Sequence, residues 1–556
     1  MLALAHSFLF AEATGVWIAL GADEKTTTLQ NWENGELPSG IGLAFGSVGS
    51  RALLADTLSA TGIQFVPATA GRTFTLANDA SAADGTKYLV GSGGITVSPS
   101  TGSNWQTNIV SSPIEFTDTT AALGGSTSTK DVLRIAGPIS SSGTVTITAA
   151  GADRIYLEGQ NDFTGSFKST RGYRYMSAGA LGAAANTATF NQTAGNSTVY
   201  FMGGTNDQAI TVDRTAAGSA SGYNITTYFQ ESKRHVFNKK FTMKDNNYGI
   251  QAFANTYAKV IFNNGLSSGA SDYQLQLYGY YGSSYTITNG PLNAASCSLG
   301  VSIYAYNEMA FNLCCSNNFT KNNGAYYLVN NVTLNTYAKW AFNTNYVGGV
   351  LKYVPLTFLR GSASSSYNPT LNLRGNDQFV GNLSTTPLSS SSYVASNAGK
   401  ITSSKPATLY VWQNARRTFE PTFEGAVNLC KYGTNALTLA GNSTSTGQVA
   451  VADGKLAFAE TGAWSKATSV AVLGGTLVLD TADRLNSNAD LYLSSGTIDI
   501  AEGVTVEVRK MYVPNGNGGW KPASRGVYDA QNMPGRISGL GRLNIRLPVG
   551  CVISFQ

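Results

Sequence analysis

Short glycine-led segments recur at a fixed spacing in the C-terminal part of the chain. Gly454, Gly475 and Gly496 each open a run in which apolar and variable residues alternate, and they lie 21 residues apart. Alternation with a period of two is typical of a strand with one buried face. A fourth copy begins at Gly541, after an irregular insertion. A turn glycine, a strand and a fixed repeat length together predict the stacked coils of a β-solenoid.

The centre of the chain repeats a different unit, an apolar residue with asparagine one or two positions later, at steps of 25, 25 and 24 residues. The copies begin at Phe237, Phe262, Ile287 and Phe311. Stacked coils would place these residues above one another, so the spacing predicts an internal aromatic stack. The asparagines are expected either to supply turns with positive φ beside glycine or to form a ladder of side-chain amides.

Composition excludes two other classes of protein. Charged residues make up 12% of the 556-residue chain, so the Glu, Lys and Arg that normally cover helix surfaces are scarce. Hydrophobic residues at 42% and aromatic residues at 11% are enough to bury a large core, which argues against disorder. An all-β fold remains, and we expect a parallel β-helix of about twenty or more coils.

Several segments resemble one family. The stretch 437–456, which reads L-T-L-x-G-N-x-x-x-x-G-x-x-x-V-x-x-G-x-L, is similar to the autotransporter-associated β-strand repeat. Trp17 with 31–40, the stretch 88–97 and the stretch 520–547 resemble the opening, early coils and closing segment of such passengers. The resemblance implies a single-stranded right-handed parallel β-helix, secreted by or displayed on a bacterium with an outer membrane.

The sequence suggests four segments. Residues 1–13 are interpreted as the remnant of a signal peptide, because an apolar run precedes an Ala-Glu-Ala pattern; a short buried first strand is the alternative. Residues 14–60 would form the N-terminal cap and first coils, 61–509 the β-helix, and 510–556 a C-terminal coil or cap. Many family members end in a translocating β-barrel or a short sorting tail, and neither is evident in the sequence that ends at Gln556. A freely secreted member, a fragment and a chain held by a partner therefore stay open.

Charge and cysteine content argue against several partners. The net charge of +5 gives no concentrated basic face, so nucleic acid is not expected as a partner. The one basic cluster, Lys233 to Lys244 with His235, is interpreted as a solvated strand edge rather than an anion site. Five cysteines without a C-x-x-C pattern and two histidines predict free thiols, no metal site and no cofactor. No apolar run is long enough to span a bilayer.

The spacing of the acidic residues along the chain does not indicate a pair of carboxylates suited to catalysis. A glycosidase needs two carboxylates on either side of a sugar bond, which on stacked coils should recur at coil spacing. The candidates for such a pair are Asp207, Asp213, Asp245, Asp272 and Asp377. None recurs beside a basic partner, and Asp153, Arg154 and Glu158 are too few for a lyase site. We therefore predict that the chain is not an enzyme and has no catalytic residues.

Tyrosine is the most promising binding feature. Sixteen of the 28 tyrosines lie in 223–353, including Tyr278, Tyr280 and Tyr281. On a strand, Tyr278 and Tyr280 would share one face and Tyr281 the opposite face. Exposed tyrosines suit sugar rings or protein partners, whereas the alternative is that they stack in ladders that cover the strands.

The leading hypothesis is an extracellular structural or adhesive passenger. Its Asn-, Thr- and Tyr-rich surface would contact glycans or surface proteins without chemistry. The alternative is a secreted polysaccharide lyase or glycoside hydrolase on the same scaffold. Lateral self-association into a fibre or coat is a third hypothesis.

Overall fold

A computed structural model describes residues 14–46, 49–66, 72–99, 105–125, 130–151, 154–191, 197–213, 225–244, 250–268, 275–290, 292–293, 300–305, 308–314, 317–318, 325–329, 332–337, 343–344, 352–353, 355–360, 368–387 and 399–546. Over these ranges the chain is all-β, and its helical structure there is one 3-10 turn, Leu29–Asn31. The prediction of an all-β, mainly parallel fold is confirmed. The chain divides into two compact units, Met1–Ala270 and Ser271–Gln556, which are described in turn.

Three parallel sheets make up the described part of the first unit. Sheet A contains Thr14–Val16, Ile41–Phe45, Leu58–Phe65, Tyr88–Val97, Ile114–Phe116, Thr120–Gly124, Ile139–Ser141, Thr144–Ala150, Thr164–Ser169, Thr187–Asn191, Ala209–Asp213, Phe241–Lys244 and Leu266–Ser268. Sheet B contains Arg51–Leu54, Thr73–Asn78, Gln106–Val110, Asp131–Ile135, Arg154–Leu157, Gly172–Met176, Ser197–Phe201, Ile225–Phe229 and Ile250–Ala254. Sheet C contains Gly204–Asn206, Arg234–Phe237 and Lys259–Phe262.

The chain visits these three sheets in a fixed order. From Ser197 to Ser268 it passes through B, C and A three times, and each strand of the second and third passes pairs with its counterpart in the pass before. Side chains alternate between core and surface along each strand, as in Thr144–Ala150, where Val145, Ile147 and Ala149 are buried. The core of this unit is therefore built from inward-facing apolar residues of successive passes.

The second unit has four main sheets. Sheet D contains Leu275–Gly279, Gly300–Ala305, Ala325–Val329, Leu356–Arg360 and Leu383–Pro387. Sheet E contains Ser283–Ile287, Met309–Leu313, Val332–Thr336, Thr370–Asn372, Gln378–Val380, Lys400–Trp412, Thr422–Tyr432, Val449–Val451, Ser469–Val472, Asp490–Leu493, Lys510–Pro514 and Trp520–Pro522. Sheet F contains Leu292–Asn293, Asn317–Asn318, Asn343–Thr344 and Lys352–Tyr353. Sheet G contains Arg417–Phe419, Ala436–Leu439, Lys455–Phe458, Thr476–Leu479, Thr497–Ile500 and Ile537–Gly539.

Two small sheets complete the second unit. One pairs Asn442–Ser443 with Ala463–Trp464, and the other joins Thr505–Val508, Arg542–Ile545 and Gly526–Tyr528. Trp520–Pro522 and Gly526–Tyr528 pair antiparallel with their neighbours. Both belong to the segment 510–556, whose role as a cap stays a prediction.

The predicted glycine-led repeat is confirmed for three of its four copies. Leu456, Leu477 and Ile498 stand in register in sheet G and are buried. Glycine is required by close approach: an added Cβ at Gly475 or Gly496 would lie 2.6 or 2.5 Å from the carbonyl oxygen of the equivalent glycine one pass earlier.

The prediction that the segment after Gly541 forms a fourth copy of this repeat is wrong. Arg542–Ile545, which follows Gly541, pairs with Thr505–Val508, and the place beside Thr497–Ile500 is taken by Ile537–Gly539. Both segments carry the same alternation of apolar and polar residues, so the pattern alone could not distinguish them.

The aromatic stack is confirmed for one pair of residues. Phe237 and Phe262 are buried in register, with ring centroids 5.4 Å apart and planes at 20°. The predicted step from Ile287 to Phe311 is wrong by two residues, because Phe311 pairs with Tyr285 and Ile287 pairs with Leu313.

Both expectations for the asparagines are met. Asn263 donates from Nδ2 to Oδ1 of Asn238 at 2.7 Å, and Asn335 donates to Asn312 at 3.0 Å, so the amides form ladders. Asn289 has a φ of 53° and Gly265 a φ of 75°, the turn conformation expected beside the repeat.

Candidate functional site

The three tyrosines singled out from the sequence lie at the end of one strand of sheet D and in the turn that follows. Tyr278 is half-buried in Leu275–Gly279, and its hydroxyl donates to Oε1 of Gln276 at 2.9 Å. The strand ends at Gly279, so the strand alternation used to assign faces does not extend to Tyr280 and Tyr281. Tyr280 is half-buried and Tyr281 is 46% exposed.

Contacts with the next strands hold this turn in place. Tyr285, which is fully buried, donates from its hydroxyl to the carbonyl oxygen of Tyr278 at 3.0 Å. The backbone N–H of Gly282 donates to the carbonyl oxygen of Glu308 at 3.0 Å. The side chain of Met309 packs directly against Gly279, into the space that a Cβ would occupy. The turn that carries Tyr280 and Tyr281 is therefore fixed against the core.

An open depression begins directly after Tyr281. It has a volume of about 650 Å³ and is lined by Gly282, Ser283, Ser284, Glu308, Met309, Ala310, Thr333, Asn368 and Thr370. Ser284, Ala310, Thr333 and Thr370 occupy one row of sheet E, in register across four strands. We call this the tyrosine-flanked depression.

The lining of the tyrosine-flanked depression is mainly polar. Hydroxyl groups of Ser284, Thr333 and Thr370 and the amide of Asn368 can donate and accept hydrogen bonds. Glu308 is the carboxylate among the described lining residues, whereas glycoside hydrolysis normally uses two. The arrangement suits non-covalent binding of a hydroxyl-rich molecule.

Three of the aspartates considered as catalytic carboxylates lie within the described residues, and each has a structural partner. They are Asp207, Asp213 and Asp377. Asp207 accepts from Nδ2 of Asn238 at 2.6 Å, and Oδ1 of Asp377 accepts from the backbone N–H of Thr408 at 2.7 Å. Asp213 forms an ion pair with Lys244 at 3.5 Å. Asp153, Asp245 and Asp272 lie outside the described residues.

The two described residues that were considered for a lyase site, Glu158 and Arg154, also contact other side chains. Glu158 forms an ion pair with Arg134, and the guanidinium of Arg154 lies 4.2 Å from the ring centre of Trp105. Among the residues that the structure places, no three His, Cys, Asp or Glu side chains are grouped to hold a metal ion. Cys314 and Cys430 are free thiols, and Cys297, Cys315 and Cys551 fall in undescribed ranges.

The interpretation of the basic cluster as a strand edge is wrong. Arg234–Phe237 lies between two neighbours in sheet C, because His235 pairs with Gly204 on one side and Val260 on the other. Lys233 and Arg234 are exposed, but His235 is fully buried. Its Nε2 lies 3.0 Å from the carbonyl oxygen of Gln230, and burial lowers the pKa of the imidazole. Because His235 lies within a run of charged residues, the sequence pattern did not indicate that its side chain faces inward.

A buried lysine was also missed. Lys431 is fully buried on Thr422–Tyr432, and its ammonium donates to the carbonyl oxygens of Gly433 and Asp453. Burial lowers the pKa of Lys431 to about 8. The alternation of this strand could have pointed to it, since Leu429, two residues earlier, also faces inward.

The most regular aromatic feature lies in the first unit, on the outer face of sheet B. Tyr156, Tyr175, Tyr200 and Tyr228 occupy one register position of four successive strands, and we call them the tyrosine ladder. Their rings stack with centroids 4.1, 4.6 and 5.0 Å apart and planes within 12° of parallel. Each of these residues is half-buried. Stacking of this kind is the alternative considered for the tyrosines of 223–353, and of these the ladder contains Tyr228.

The sequence contained a signal for the tyrosine ladder. Each of its tyrosines is followed directly by a large apolar residue, which faces the core at the end of the strand. The last neighbour is Phe253, whose ring stacks on Tyr228 at 5.0 Å.

No protein-family model, curated protein or solved structure matches this chain. Within the described ranges, no helix has the length and apolar character needed to cross a membrane. Arguments about function therefore rest on the residues of the chain itself.

Proposed function

We propose that the chain is a right-handed parallel β-helix with about twenty or more coils that serves as a non-enzymatic structural or adhesive passenger. It would be secreted or displayed on the outer surface of a bacterium with an outer membrane, like the proteins whose autotransporter-associated repeats it resembles. The regular passage of the chain through sheets B, C and A supports the β-helix, because each pass adds one strand to each sheet.

The proposed ligand is a glycan, and its proposed site is the tyrosine-flanked depression. The observation that carries this is the combination of an exposed aromatic ring at Tyr281 with a row of hydroxyl groups in sheet E. A tyrosine ring offers an apolar face to the C–H side of a sugar, and hydroxyl and amide groups match the sugar hydroxyls. The volume falls in the range of small-molecule sites.

Binding without turnover is favoured over the enzyme alternative. A hydrolase would need a second carboxylate opposite Glu308 across the sugar bond. The described lining supplies hydroxyls, an amide and a thioether there instead. Protein partners and self-association are the other proposed contacts of this surface.

A glycan array on the purified chain tests the proposal, with reducing-sugar and unsaturated-product assays on each bound polysaccharide. We expect binding without turnover, and Tyr281→Ala should weaken binding by roughly two- to tenfold, since an aromatic contact contributes about 0.5–1.5 kcal/mol. Trp520→Ala is the matched control, because Trp520 is 40% exposed and lies on Trp520–Pro522, at the other end of sheet E from the strands that line the depression.

Two results would contradict the proposal. Turnover of a polysaccharide would favour the lyase or hydrolase, and equal loss of binding in both variants would place the site elsewhere. Light scattering on the same sample tests self-association: large assemblies would support a fibre or coat, and a clean monomer would remove that hypothesis.

A further inference from the structure

We propose that the tyrosine ladder is a site of oxidative cross-linking, at which a one-electron oxidant of the peroxidase class joins Tyr156 to Tyr175 as dityrosine. The cross-link would tie two successive passes of the chain together on the outer face of sheet B. This inference does not depend on glycan binding, because the ladder and the tyrosine-flanked depression are built from different residues.

The stacking geometry favours this pair over the others. The rings of Tyr156 and Tyr175 lie 4.1 Å apart with planes at 6°, the closest approach in the ladder. Parallel pairing of Arg154–Leu157 with Gly172–Met176 fixes the two residues opposite one another. The two rings whose ortho carbons must bond are therefore held face to face before any oxidant arrives.

Partial exposure makes the ladder reachable. Tyr156, Tyr175 and Tyr200 are half-buried, so part of each ring faces solvent. Tyr88 and Tyr285, in contrast, are fully buried, and the stacked pair Phe237 and Phe262 has no hydroxyl to oxidise. A soluble oxidant would thus act on the ladder in preference to the internal aromatic residues.

The reaction balances as a two-electron oxidation. Each phenol loses one electron to the oxidant and one proton to water, which gives two phenoxyl radicals. The radicals join through a carbon–carbon bond between their ortho positions, and the two ortho hydrogens move to the phenolic oxygens. The product has two hydrogen atoms fewer than the starting pair, and one molecule of hydrogen peroxide accepts them as two molecules of water.

The electrostatics of the stack support a proton-coupled step. Burial, followed by the neighbouring Tyr156, raises the pKa of Tyr175 above its ordinary value. Burial also raises the pKa of Tyr200. Both phenols stay protonated at neutral pH, so electron loss must be accompanied by loss of the proton to solvent.

Treatment of the folded chain with hydrogen peroxide and a peroxidase, followed by trypsin and mass spectrometry, tests the proposal. We expect the peptides 155–168 and 175–214 to appear linked, with the loss of two hydrogen atoms, and fragment ions to place the link at Tyr156 and Tyr175. Blue dityrosine fluorescence should rise in the monomer fraction.

Tyr175→Phe should reduce the linked peptide to the level of the unoxidised sample. Phenylalanine is compatible with this column, because Phe253 already occupies its end. Tyr173→Phe is the matched control: it lies on the same strand and the same face but outside the ladder, and it should leave the yield unchanged. Unchanged linkage in Tyr175→Phe, linkage only between separate molecules, or no linkage in the folded chain would each overturn the proposal.

Discussion

Asn263 donates a hydrogen bond from Nδ2 to Oδ1 of Asn238, and the two residues are 25 positions apart in the chain. Asn238 in turn donates to a carboxylate oxygen of Asp207. A neutral amide can donate to one neighbour and accept from the other, which lets identical residues stack along a column. A carboxylate has no donor, so a column of charged residues at this spacing would repel itself.

The first prediction concerns this column. Asn238→Asp would place a second carboxylate beside Asp207, and we expect the free energy of unfolding to fall by about 1 kcal/mol at pH 7. Chemical denaturation measures this, and the loss should shrink at low pH, where both carboxyls are protonated. Asn238→Ala, which removes the hydrogen bonds without adding charge, is the control. Equal losses at pH 7 and at low pH would contradict the role assigned to charge.

The second prediction uses the buried ammonium of Lys431. Its pKa of about 8 in the folded chain lies below the ordinary 10.5, so between these values the unfolded chain binds a proton that the folded chain has released. The free energy of unfolding should therefore rise with pH across this window, by an amount on the order of 3 kcal/mol. Lys431→Met should lose this rise, as measured by denaturation at pH 7.5 to 10.5 relative to wild type.

Lys455→Met is the control for the second prediction, because Lys455 is exposed on the neighbouring part of sheet G. It should keep the wild-type dependence on pH. A Lys431→Met variant with that same dependence would show that the ammonium is not the titrating group.

The third prediction concerns His235. Burial lowers its pKa below the ordinary 6.5, so the unfolded chain binds the proton first as pH falls. The stability that neutral His235 confers is fully present above about pH 6.5 and is lost below it. Denaturation at pH 7 and pH 5 should show a larger loss for wild type than for His235→Asn. A variant with the wild-type pH dependence would disprove the assignment.

The fourth prediction concerns close backbone approach. Gly475→Ala would place a methyl group 2.6 Å from the carbonyl oxygen of Gly454, and we expect it to destabilise the chain by about 1–3 kcal/mol. Gly143→Ala is a matched control, because an added Cβ there meets no atom within 4 Å. Thermal unfolding distinguishes the two variants, and equal melting temperatures would refute the contact argument.

The sequence predicted the positions of the closely packed glycines, but it did not predict the register of every strand pair. Gly475 and Gly496 were predictable, because each must pass close to the equivalent glycine 21 residues earlier, on the neighbouring strand connection of sheet G. The alignment of Phe311 with Ile287 failed by two residues, a shift that leaves every side chain on the same face. Periodicity identifies the face of a strand but cannot choose between registers that differ by two.

The candidate sites were less accessible to sequence reasoning. Residues of the tyrosine ladder are separated by 19, 25 and 28 positions, because the connections between strands differ in length, so a search at fixed period passes over them. The turn at Tyr280 and Tyr281 begins at Gly279, against which the side chain of Met309 packs from the neighbouring strand of sheet E. Such contacts become visible only when the register of the strands is known.

The fixed order in which the first unit passes through sheets B, C and A has a consequence for how such a gene can change. A segment that returns to its starting sheet, as 225–244 does, adds one strand to each of the three sheets, and each of these strands pairs with the strands of the passes before and after it. Duplication of such a segment of coding sequence would therefore lengthen the protein without rebuilding any existing contact beyond the insertion point. If such a gene grew by in-frame duplication and the outward-facing residues then changed, related proteins would share the same buried core and differ in their surfaces.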